Sequence, residues 1–275
     1  MENLKKFYIG GQWNTPISDV TMPVLNPATE KQIATVAMGN ANDVDKAVAA
    51  AKTAFEQFSK TSAEERLALL YKLKDATERR LEDLAQAMRL EMGAPITMAR
   101  EAQADAAIGH LNGFIEALEG FNHHAILTNG DHLIHEPIGV CGLITPWNWP
   151  MNQIALKVIP ALATGCTCVL KPSEHTPISA MLYAEIIHEA GYPPGVFNLI
   201  NGDGPTVGSA LSRHPDVQMM SFTGSTRAGK SITRDAAETI KRVTLELGGK
   251  SPNLVFADCD LETQVTDSIN ECMYN

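Results

Sequence analysis

Positive charge is scarce in this sequence. Its 275 residues include 22 lysines and arginines against 32 aspartates and glutamates, which gives a formal net charge of −10. A negative surface repels phosphate polyanions and anionic lipids, so this balance excludes nucleic acid and the membrane surface as main partners. It does not exclude one anionic cofactor, because backbone N–H groups at a helix N-terminus attract phosphate whatever the net charge.

Cysteine is also rare, and its positions follow no ligand pattern. The count is odd and most of the cysteines lie in apolar or helical runs, which favours reduced thiols in a cytoplasmic protein. Cys166 and Cys168 are closer together than the usual zinc-binding pairs, and the eight histidines are scattered. The sequence therefore predicts no metal site. The cysteines are Cys141, Cys166, Cys168, Cys259 and Cys272.

Long apolar runs are absent. No stretch of roughly 18 apolar residues occurs, so no membrane-spanning helix is predicted. Residues 1–11 lack the apolar core of a signal peptide, and the chain has no internal repeats. Hydrophobic residues make up 44% of the sequence, which is typical of a globular protein that buries a substantial core.

The first part of the chain predicts a helical scaffold behind a short arm. Residues 7–37 have the turn signals of a strand-and-turn arm. Apolar residues then recur at helical spacing in three segments. The first covers residues 44–58, the second opens with a capping box at residues 62–65 and ends near Gly93, and the third covers residues 97–118. No chemistry is assigned to these helices.

A β-hairpin is predicted next. Residues 126–138 alternate between polar and apolar side chains around Asn129 and Gly130, a strong two-residue turn signal. The segment is either a plain surface hairpin or an edge that pairs with another subunit.

From Gly139 onward, short apolar strands alternate with helices. This alternation predicts an α/β fold with a doubly wound, mostly parallel, Rossmann-like sheet. The N-terminal helical segment and the projecting hairpin precede it. The predicted strands are 140–144, 167–170, 196–200, 217–222 and 242–246, and the predicted helices are 151–162, 177–189, 205–211 and 225–237.

Ligands bind at the carboxyl ends of the strands in such sheets, so the residues after each strand carry the candidate chemistry. After the first strand, the amide of Asn148 is placed to donate to a developing oxyanion, or it only bonds its own backbone in a turn. After the second strand, Lys171 and Glu174 suit the two hydroxyls of a ribose, or they form a surface ion pair. A carboxylate there repels a 2′-phosphate and favours NAD over NADP.

Two glycine-rich turns follow the third and fourth strands. Residues 202–208 are close to a dinucleotide fingerprint, but the last spacing is one residue too long. Residues 224–231 match the phosphate loop of nucleotide triphosphatases, and residues 254–258 resemble a strand that ends in a magnesium-binding aspartate. Against a triphosphatase, a phosphate loop normally follows the first strand of its domain. Both interpretations place a phosphate at a helix N-terminus.

Glu246 ends the fifth strand, next to Gly248 and Gly249. A carboxylate on an apolar strand is expected in a low-dielectric place, where its pKa rises to that of a general base. The glycines leave room for a substrate or cofactor. The alternative is a buried structural carboxylate that pairs with Lys250 or Lys157.

Four motifs together resemble the NAD(P)-dependent aldehyde dehydrogenase superfamily. They are residues 146–150, 171–174, 222–226 and 245–250, and they match in order and spacing, within a likeness that runs from about Phe7 to the end of the chain. The resemblance implies that Asn148 helps to form an oxyanion hole and that Glu246 is the general base.

The resemblance also implies a set of cofactor-binding residues and a partner. Lys171 and Glu174 hold the adenosine ribose, Gly204 lies near the adenine, and Gly224 and Ser225 meet the pyrophosphate. The substrate implied is a small-molecule aldehyde, the cofactor is NAD rather than NADP, and the protein is a homo-oligomer of two or four subunits. The expected cofactor-binding residues are Ile144, Trp147, Lys171, Glu174, Gly204, Phe222, Gly224, Ser225, Thr226 and Leu247.

The likeness divides the chain into four expected parts. Residues 1–121 are the N-terminal arm and helices of the cofactor domain, residues 122–138 an oligomerisation hairpin, residues 139–250 the NAD-binding sheet, and residues 251–275 the start of a catalytic domain.

One departure from the family's pattern concerns catalysis. Members use a cysteine nucleophile, which follows the glutamate by more residues than Glu246 has after it. Cys259 and Cys272 lack the glycine-rich context. The expectation is therefore a chain truncated before the catalytic cysteine and inactive by itself. The alternative is a non-catalytic dinucleotide-binding or interaction module.

Overall fold

The computed structural model describes residues 3–273, and eleven strands organise it. They are β1 (Phe7–Ile9), β2 (Gln12–Asn14), β3 (Thr21–Asn26), β4 (Lys31–Ala37), β5 (His124–Ile126), β6 (His132–Ile134), β7 (Val140–Ile144), β8 (Thr167–Lys171), β9 (Phe197–Leu199), β10 (Met219–Gly224) and β11 (Arg242–Leu247). Seven of them form one sheet in the order β11-β10-β7-β8-β9-β1-β2.

The five strands from β7 to β11 run parallel to one another, which confirms the predicted α/β fold. β7 lies in the middle of them. The chain runs outward through β8 and β9 on one side, and then returns to add β10 and β11 on the other. This reversal of strand order creates a switch point between β7 and β10, where the connections diverge and leave a crevice.

The predicted strand-and-turn arm joins the central sheet through its first two strands. β1 pairs antiparallel with β9 through Tyr8 and Leu199, and β2 continues the sheet beyond it. All of Phe7, Tyr8 and Ile9 are buried, so this apolar run covers what would otherwise be the open edge of β9. Within the arm, β3 and β4 form a separate antiparallel pair.

The helices follow the predicted alternation with one break. The second predicted helix divides at Arg80, whose backbone leaves the helical conformation and whose guanidinium binds Asp83, Glu185 and Glu189. No helix within residues 3–273 is both long and apolar enough to cross a bilayer. The helices are α1 (Ala41–Phe58), α2 (Ala63–Arg79), α3 (Leu81–Glu91), α4 (Ile96–Met98), α5 (Asp105–Glu119), α6 (Pro150–Ala163), α7 (Pro177–Glu189), α8 (Ser209–Arg213), α9 (Thr226–Ala237) and α10 (Leu261–Met273), with π-helical turns at Ala99–Ala104 and Gly204–Gly208.

Two apolar layers enclose the sheet. One joins α1, α8 and α9 to one face through side chains such as Val48, Leu211 and Ile232. The larger layer joins α6 and α7 to the other face, and α2, α3 and α5 pack outside them. Both faces of the central strands are therefore covered, and β7 and β8 read as continuous apolar runs for this reason.

The predicted hairpin is confirmed. β5 and β6 pair antiparallel, and the turn between them is closed by the N–H of Leu127, which donates to the carbonyl of Asp131 at 2.8 Å. At the C-terminal end of the described chain, α10 has no buried residue.

A buried carboxylate holds the start of α7. Glu91, the last residue of α3, accepts hydrogen bonds from the backbone N–H of Ile178 at 2.6 Å and of Ser179 at 2.9 Å. Thr176 caps this helix without a side-chain bond, and Pro177 has no N–H, so Glu91 satisfies the first donors of the helix. Burial raises the pKa of Glu91 to about 7, although these hydrogen bonds act to lower it.

Replacing Glu91 by alanine is expected to lower the free energy of unfolding by roughly 2–4 kcal/mol, because two buried N–H groups lose their acceptor. Urea unfolding at a fixed pH measures this loss. Glu91→Gln keeps an acceptor and should lose less.

The pH dependence of the same carboxyl has a definite sign. Its folded-state pKa of about 7 exceeds the ordinary value of 4.5. When the pKa of an acid is higher in the folded state than its ordinary value, the protonated acid favours the folded state. This contribution to stability is complete at pH values below the ordinary pKa and is lost as the pH rises through the folded-state pKa. The unfolding free energy of the wild type should therefore fall relative to Glu91→Gln between about pH 5 and about pH 8. Parallel curves for the two proteins would contradict this.

Candidate functional site

The carboxyl ends of β7, β8, β10 and β11 meet along one side of the sheet, here called the carboxyl edge. The strand register brings the predicted residues together there. Ile144 lies opposite both Lys171 and Phe222, and Gly224 lies opposite Leu247. The predicted residues from four separate segments thus share one edge, as the parallel topology requires.

Lys171 is buried at this edge. Only 3% of the residue is exposed, and its Nζ donates to the carbonyl of Gly202 at 2.7 Å, to that of Pro172 at 2.9 Å and to the carboxylate of Glu174 at 3.2 Å. Burial lowers the pKa of Lys171, and the charge of Glu174 opposes that effect. Because the lysine is buried and Glu174 half-buried, the pair is not a surface ion pair, and the Glu174 carboxylate is held in a fixed place.

The turn after β9 packs beside Lys171. Asp203 caps the π-helical turn by accepting from the N–H of Thr206 at 2.7 Å. A methyl group at Gly208 would lie 3.6 Å from Cδ1 of Ile144. Gly204 is exposed, with no atom within 4 Å of the place where its side chain would start. This turn therefore presents open backbone next to the Lys171–Glu174 pair.

The start of α9 is the second polar feature of the carboxyl edge. Ser225 is the N-cap, and its hydroxyl accepts from the N–H of Ala228 at 3.2 Å. Ser225, Thr226 and Arg227 are exposed. An exposed helix N-terminus carries partial positive charge and favours an anion.

Phe222 sets the shape of the turn before that helix. Its ring is buried, and a methyl group at Gly224 would lie 2.6 Å from its Cζ. Glycine is therefore needed at position 224 for close approach between the turn and the ring. Leu247 packs in a similar way, because its Cδ2 lies 2.7 Å from the place of a side chain at Gly229 in α9.

The expected burial of Glu246 is wrong. Glu246 is exposed, because β11 is the outermost strand of the sheet and has only β10 as a neighbour. Val243 and Leu245 are half-buried against α9, while the alternate residues face solvent. The outermost strand of a sheet has a neighbouring strand on one side only, and one of its faces can be exposed to solvent. An apolar pattern in the sequence therefore does not by itself bury a carboxylate.

Lys157 is a charged residue that the sequence reasoning considered only as a structural partner. It lies on α6, is buried, and its Nζ donates to the hydroxyl of Ser221 at 3.1 Å. Burial lowers the pKa of Lys157 to about 8, while the charge of Glu246 acts to raise it. The lysine and the glutamate are therefore electrostatically coupled. The sequence signal that could have identified Lys157 as a buried charge is its position among the apolar residues of α6.

The loop between β7 and α6 holds the other two predicted residues. Its first N–H, that of Thr145, donates to the carbonyl of Lys171 at 3.2 Å, and Pro150 begins α6 as predicted. Asn148 is half-buried in this loop. Trp147 is 53% exposed and lines a groove beside β3, with Met92. The oxyanion role of Asn148 and the cofactor contact of Trp147 stay predictions.

The structure does not support the triphosphatase alternative. Residues 254–256 form no strand, and residues 257 and 258 form a turn, so the expected magnesium-binding strand is missing. Lys230 is exposed on α9, and the turn before it follows the fourth parallel strand of the chain.

A doubly wound sheet with its polar side chains at the switch-point edge places this chain among Rossmann-like α/β proteins. Residues 13–275 match the aldehyde dehydrogenase family. The chain belongs to that family.

Relatives and solved structures agree with this assignment. The chain is 50% identical over 276 residues to a 3-succinoylsemialdehyde-pyridine dehydrogenase of a Pseudomonas species, covering 100% of this chain and 58% of the relative. It is similar to a crystal structure of aldehyde dehydrogenase from Bartonella henselae, with a TM-score of 0.96 and 51% identity, covering 98% of this chain and 57% of the other.

A third similar structure has ligands. It is an aldehyde dehydrogenase C mutant from Pseudomonas syringae in complex with NAD+ and octanal, with a TM-score of 0.96 and 50% identity, covering 98% of this chain and 55% of the other. This chain spans little more than half the length of the proteins it matches.

Gly224→Ala is expected to destabilise the fold by roughly 1–3 kcal/mol, because the added methyl group would collide with the buried ring of Phe222. Gly113→Ala is the matched control. It lies within α5, no atom lies within 4 Å of its new methyl group, and helix propensity favours alanine there. Urea unfolding of both variants checks the difference, and equal effects would contradict the steric explanation.

Proposed function

We propose that this chain supplies the dinucleotide-binding part of an enzyme that oxidises an aldehyde to a carboxylic acid, with NAD as the cofactor. The observation that carries the proposal is the buried Lys171–Glu174 pair, which lies on the same edge of the sheet as the exposed N-terminus of α9. A lysine and a carboxylate suit ribose hydroxyls, and a helix N-terminus suits a pyrophosphate.

The residues at the switch point fit such a ligand. Thr145 follows β7, and Thr223 lies near the end of β10. Both hydroxyl oxygens are buried and have no hydrogen-bond partner within the described part of the chain. Buried polar atoms are normally paired, so two orphaned hydroxyls beside one crevice support a polar ligand there. The NAD+ complex of the Pseudomonas syringae enzyme, at 50% identity, adds to this support.

Each site residue then has a proposed role. Bound NAD supplies the hydride acceptor. Lys171 and Glu174 hold the adenosine ribose, Gly204 leaves room for the adenine, and Gly224 and Ser225 face the pyrophosphate. The fixed carboxylate of Glu174 repels a 2′-phosphate and thus selects NAD over NADP. Ile144, Trp147, Phe222, Thr226 and Leu247 complete the cleft.

Glu246 is proposed as the general base, and Asn148 as the oxyanion donor. The electrostatic interaction of Glu246 with the buried Lys157 supports a place for Glu246 beside the polar groups of the carboxyl edge. The N–H₂ of an amide held after β7 is a suitable donor to a developing negative charge. Covalent catalysis by a cysteine belongs to the family resemblance, and neither Cys259 nor Cys272, the cysteines after Glu246, has the glycine-rich context that it implies.

A second candidate is a non-catalytic dinucleotide-binding or interaction module. The observation that favours it is the exposed apolar surface near the end of the chain, where Leu254, Phe256 and Met273 are each more than two thirds exposed. Surfaces of this kind bind another protein or another part of the same protein. The proposed homo-oligomer, built through the hairpin of β5 and β6, is compatible with either candidate.

Measurements of NAD binding test the proposed role of the Lys171–Glu174 pair. Glu174→Gln removes the charge but keeps the size, and we expect about a tenfold loss of NAD affinity, because about 1.4 kcal/mol is lost with a charge-assisted bond to ribose. We also expect a smaller preference for NAD over NADP. Isothermal titration calorimetry of both dinucleotides measures these changes.

The matched control for that titration is Asp216→Asn. Asp216 forms an exposed ion pair with Lys52, at 2.6 Å, away from the carboxyl edge. Its loss should leave both affinities unchanged. An unchanged NAD affinity in Glu174→Gln, or equal affinities of the wild type for NAD and NADP, would contradict the proposed ribose site.

Turnover tests the expected inactivity of the chain. We expect the 275-residue chain to bind NAD without reducing it in the presence of a simple aldehyde, because the cysteine segment implied by the family is not in this sequence. Absorbance of NADH measures this. If NADH formed with the wild type but not with Glu246→Gln, the chain would contain its own nucleophile, and the expected inactivity would be wrong.

A further inference from the structure

Three cysteines cluster at the opposite edge of the sheet, where the parallel strands begin. Cys141 and Cys168 are direct neighbours on β7 and β8. Cys166 precedes Cys168 by two residues, and all three belong to the same apolar cluster. None of them is part of the proposed dinucleotide site.

Cys166 is surrounded by hydrogen-bond donors. Its Sγ accepts from the hydroxyl of Thr164 at 3.5 Å. The thiol of Cys141 and the backbone N–H groups of Gly139 and Ile138 also act to lower the pKa of Cys166. Successive backbone N–H groups that converge on one atom form an anion-binding site. A sulfur in this position is stabilised as a thiolate rather than as a thiol.

A buried arginine supplies the matching positive charge. Arg66 on α2 is 5% exposed, and its Nη1 donates to the carbonyl of Thr61 at 2.6 Å. Its Nε has no hydrogen-bond partner, and no carboxylate within residues 3–273 forms an ion pair with it. Of the negative groups that act on Arg66, Cys166 acts most strongly, ahead of Glu64 and Glu65.

The cluster has a path to solvent. Cys166 lies on the wall of a groove of about 750 Å³, between the base of the hairpin and the beginning of β10 and β11. The other ionisable side chains that line this groove are His135, Glu136 and Arg242. Only 3% of Cys166 is exposed, so the groove wall leaves little of the residue in contact with solvent.

We propose that Cys166 is a redox-active thiolate which reacts with small hydroperoxides, and that Cys141 then closes a disulfide with it. The thiolate sulfur attacks the terminal oxygen of the hydroperoxide and the O–O bond breaks. The alkoxide or hydroxide that leaves takes a proton from solvent water and becomes the alcohol or water. Cys166 is oxidised to a sulfenic acid. The sulfur of Cys141 then attacks that sulfur, hydroxide leaves and takes the thiol proton as water, and an S–S bond forms.

The ionisation of the cluster agrees with these separate roles. The contacts with Cys141, Thr164 and the backbone lower the pKa of Cys166 to about 6. The pKa of Cys141 is raised, by its hydrogen bond to Cys166 and by burial. One sulfur is thus ionised near neutral pH and its neighbour keeps its proton. No group of three His, Cys, Asp or Glu side chains in the described chain could hold a metal ion, so the cluster is not assigned to a metal.

The test is stoichiometric oxidation of the reduced protein by hydrogen peroxide at pH 7, followed by peptide mass spectrometry. The wild type should lose two hydrogen atoms and yield a Cys141–Cys166 cross-linked peptide, which a dithiol reverses. Cys141→Ala should stop at a sulfenic acid that dimedone traps on Cys166. Cys166→Ser should give neither product.

Alkylation supplies a second measurement that does not depend on the variants. The rate at which iodoacetamide labels Cys166 should rise about tenfold between pH 5 and pH 7 and then level off, whereas an ordinary cysteine, with a pKa of about 8.5, gains reactivity above pH 7. Cys272 is the exposed comparison within the same chain, and Cys168 the fully buried one.

Two outcomes would overturn the proposal. One is oxidation of Cys272 while Cys166 stays reduced. The other is a labelling rate for Cys166 that keeps rising above pH 8. A sulfenic acid on Cys166 in the wild type without any disulfide would overturn the role of Cys141 alone.

Discussion

The buried ammonium of Lys171 is the interaction on which the carboxyl edge depends. A buried charge is costly unless its partners are fixed, and its partners come from two different segments, the turn at Gly202 and the loop at Glu174. Both segments must therefore keep one conformation for the lysine to stay satisfied. Strand, turn and loop become one rigid unit, and the position of the Glu174 carboxylate follows from it.

The same loop is held from its other end by a residue with no part in the proposed chemistry. Glu91 binds the first N–H groups of α7, which begins directly after the loop. The N-terminal helices thus do more than fill the larger apolar layer, because α3 delivers the carboxylate that fixes where α7 starts. Lys171 and Glu91 act on the two sides of residues 172–176.

The two edges of the parallel sheet present different chemistry for a common reason. Where strands begin and end, some backbone N–H and C=O groups have no partner in the hydrogen-bond ladder of the sheet. Both edges therefore attract charged partners. At the carboxyl edge, the start of α9 and Lys171 face an open crevice. At the other edge, the N–H groups of Gly139 and Ile138 act to lower the pKa of Cys166, and the charge of Cys166 acts on the buried guanidinium of Arg66.

Much of the fold and of the candidate site could be predicted from the sequence, because both depend on local patterns. The five parallel strands, the capping box at Ser62, the hairpin turn and the residues after each strand are set by periodicity and turn chemistry. The family motifs named Lys171, Glu174 and Gly224 in the same way.

Only the tertiary structure decided what depends on neighbours distant in the chain. Burial of Glu246 depended on whether β11 is central or outermost, and the outermost position left it exposed. Three interactions join residues about 90 to 190 positions apart. β1 pairs with β9, Glu91 binds the start of α7, and the charge of Cys166 acts on Arg66. No local pattern in the sequence encodes such a distance.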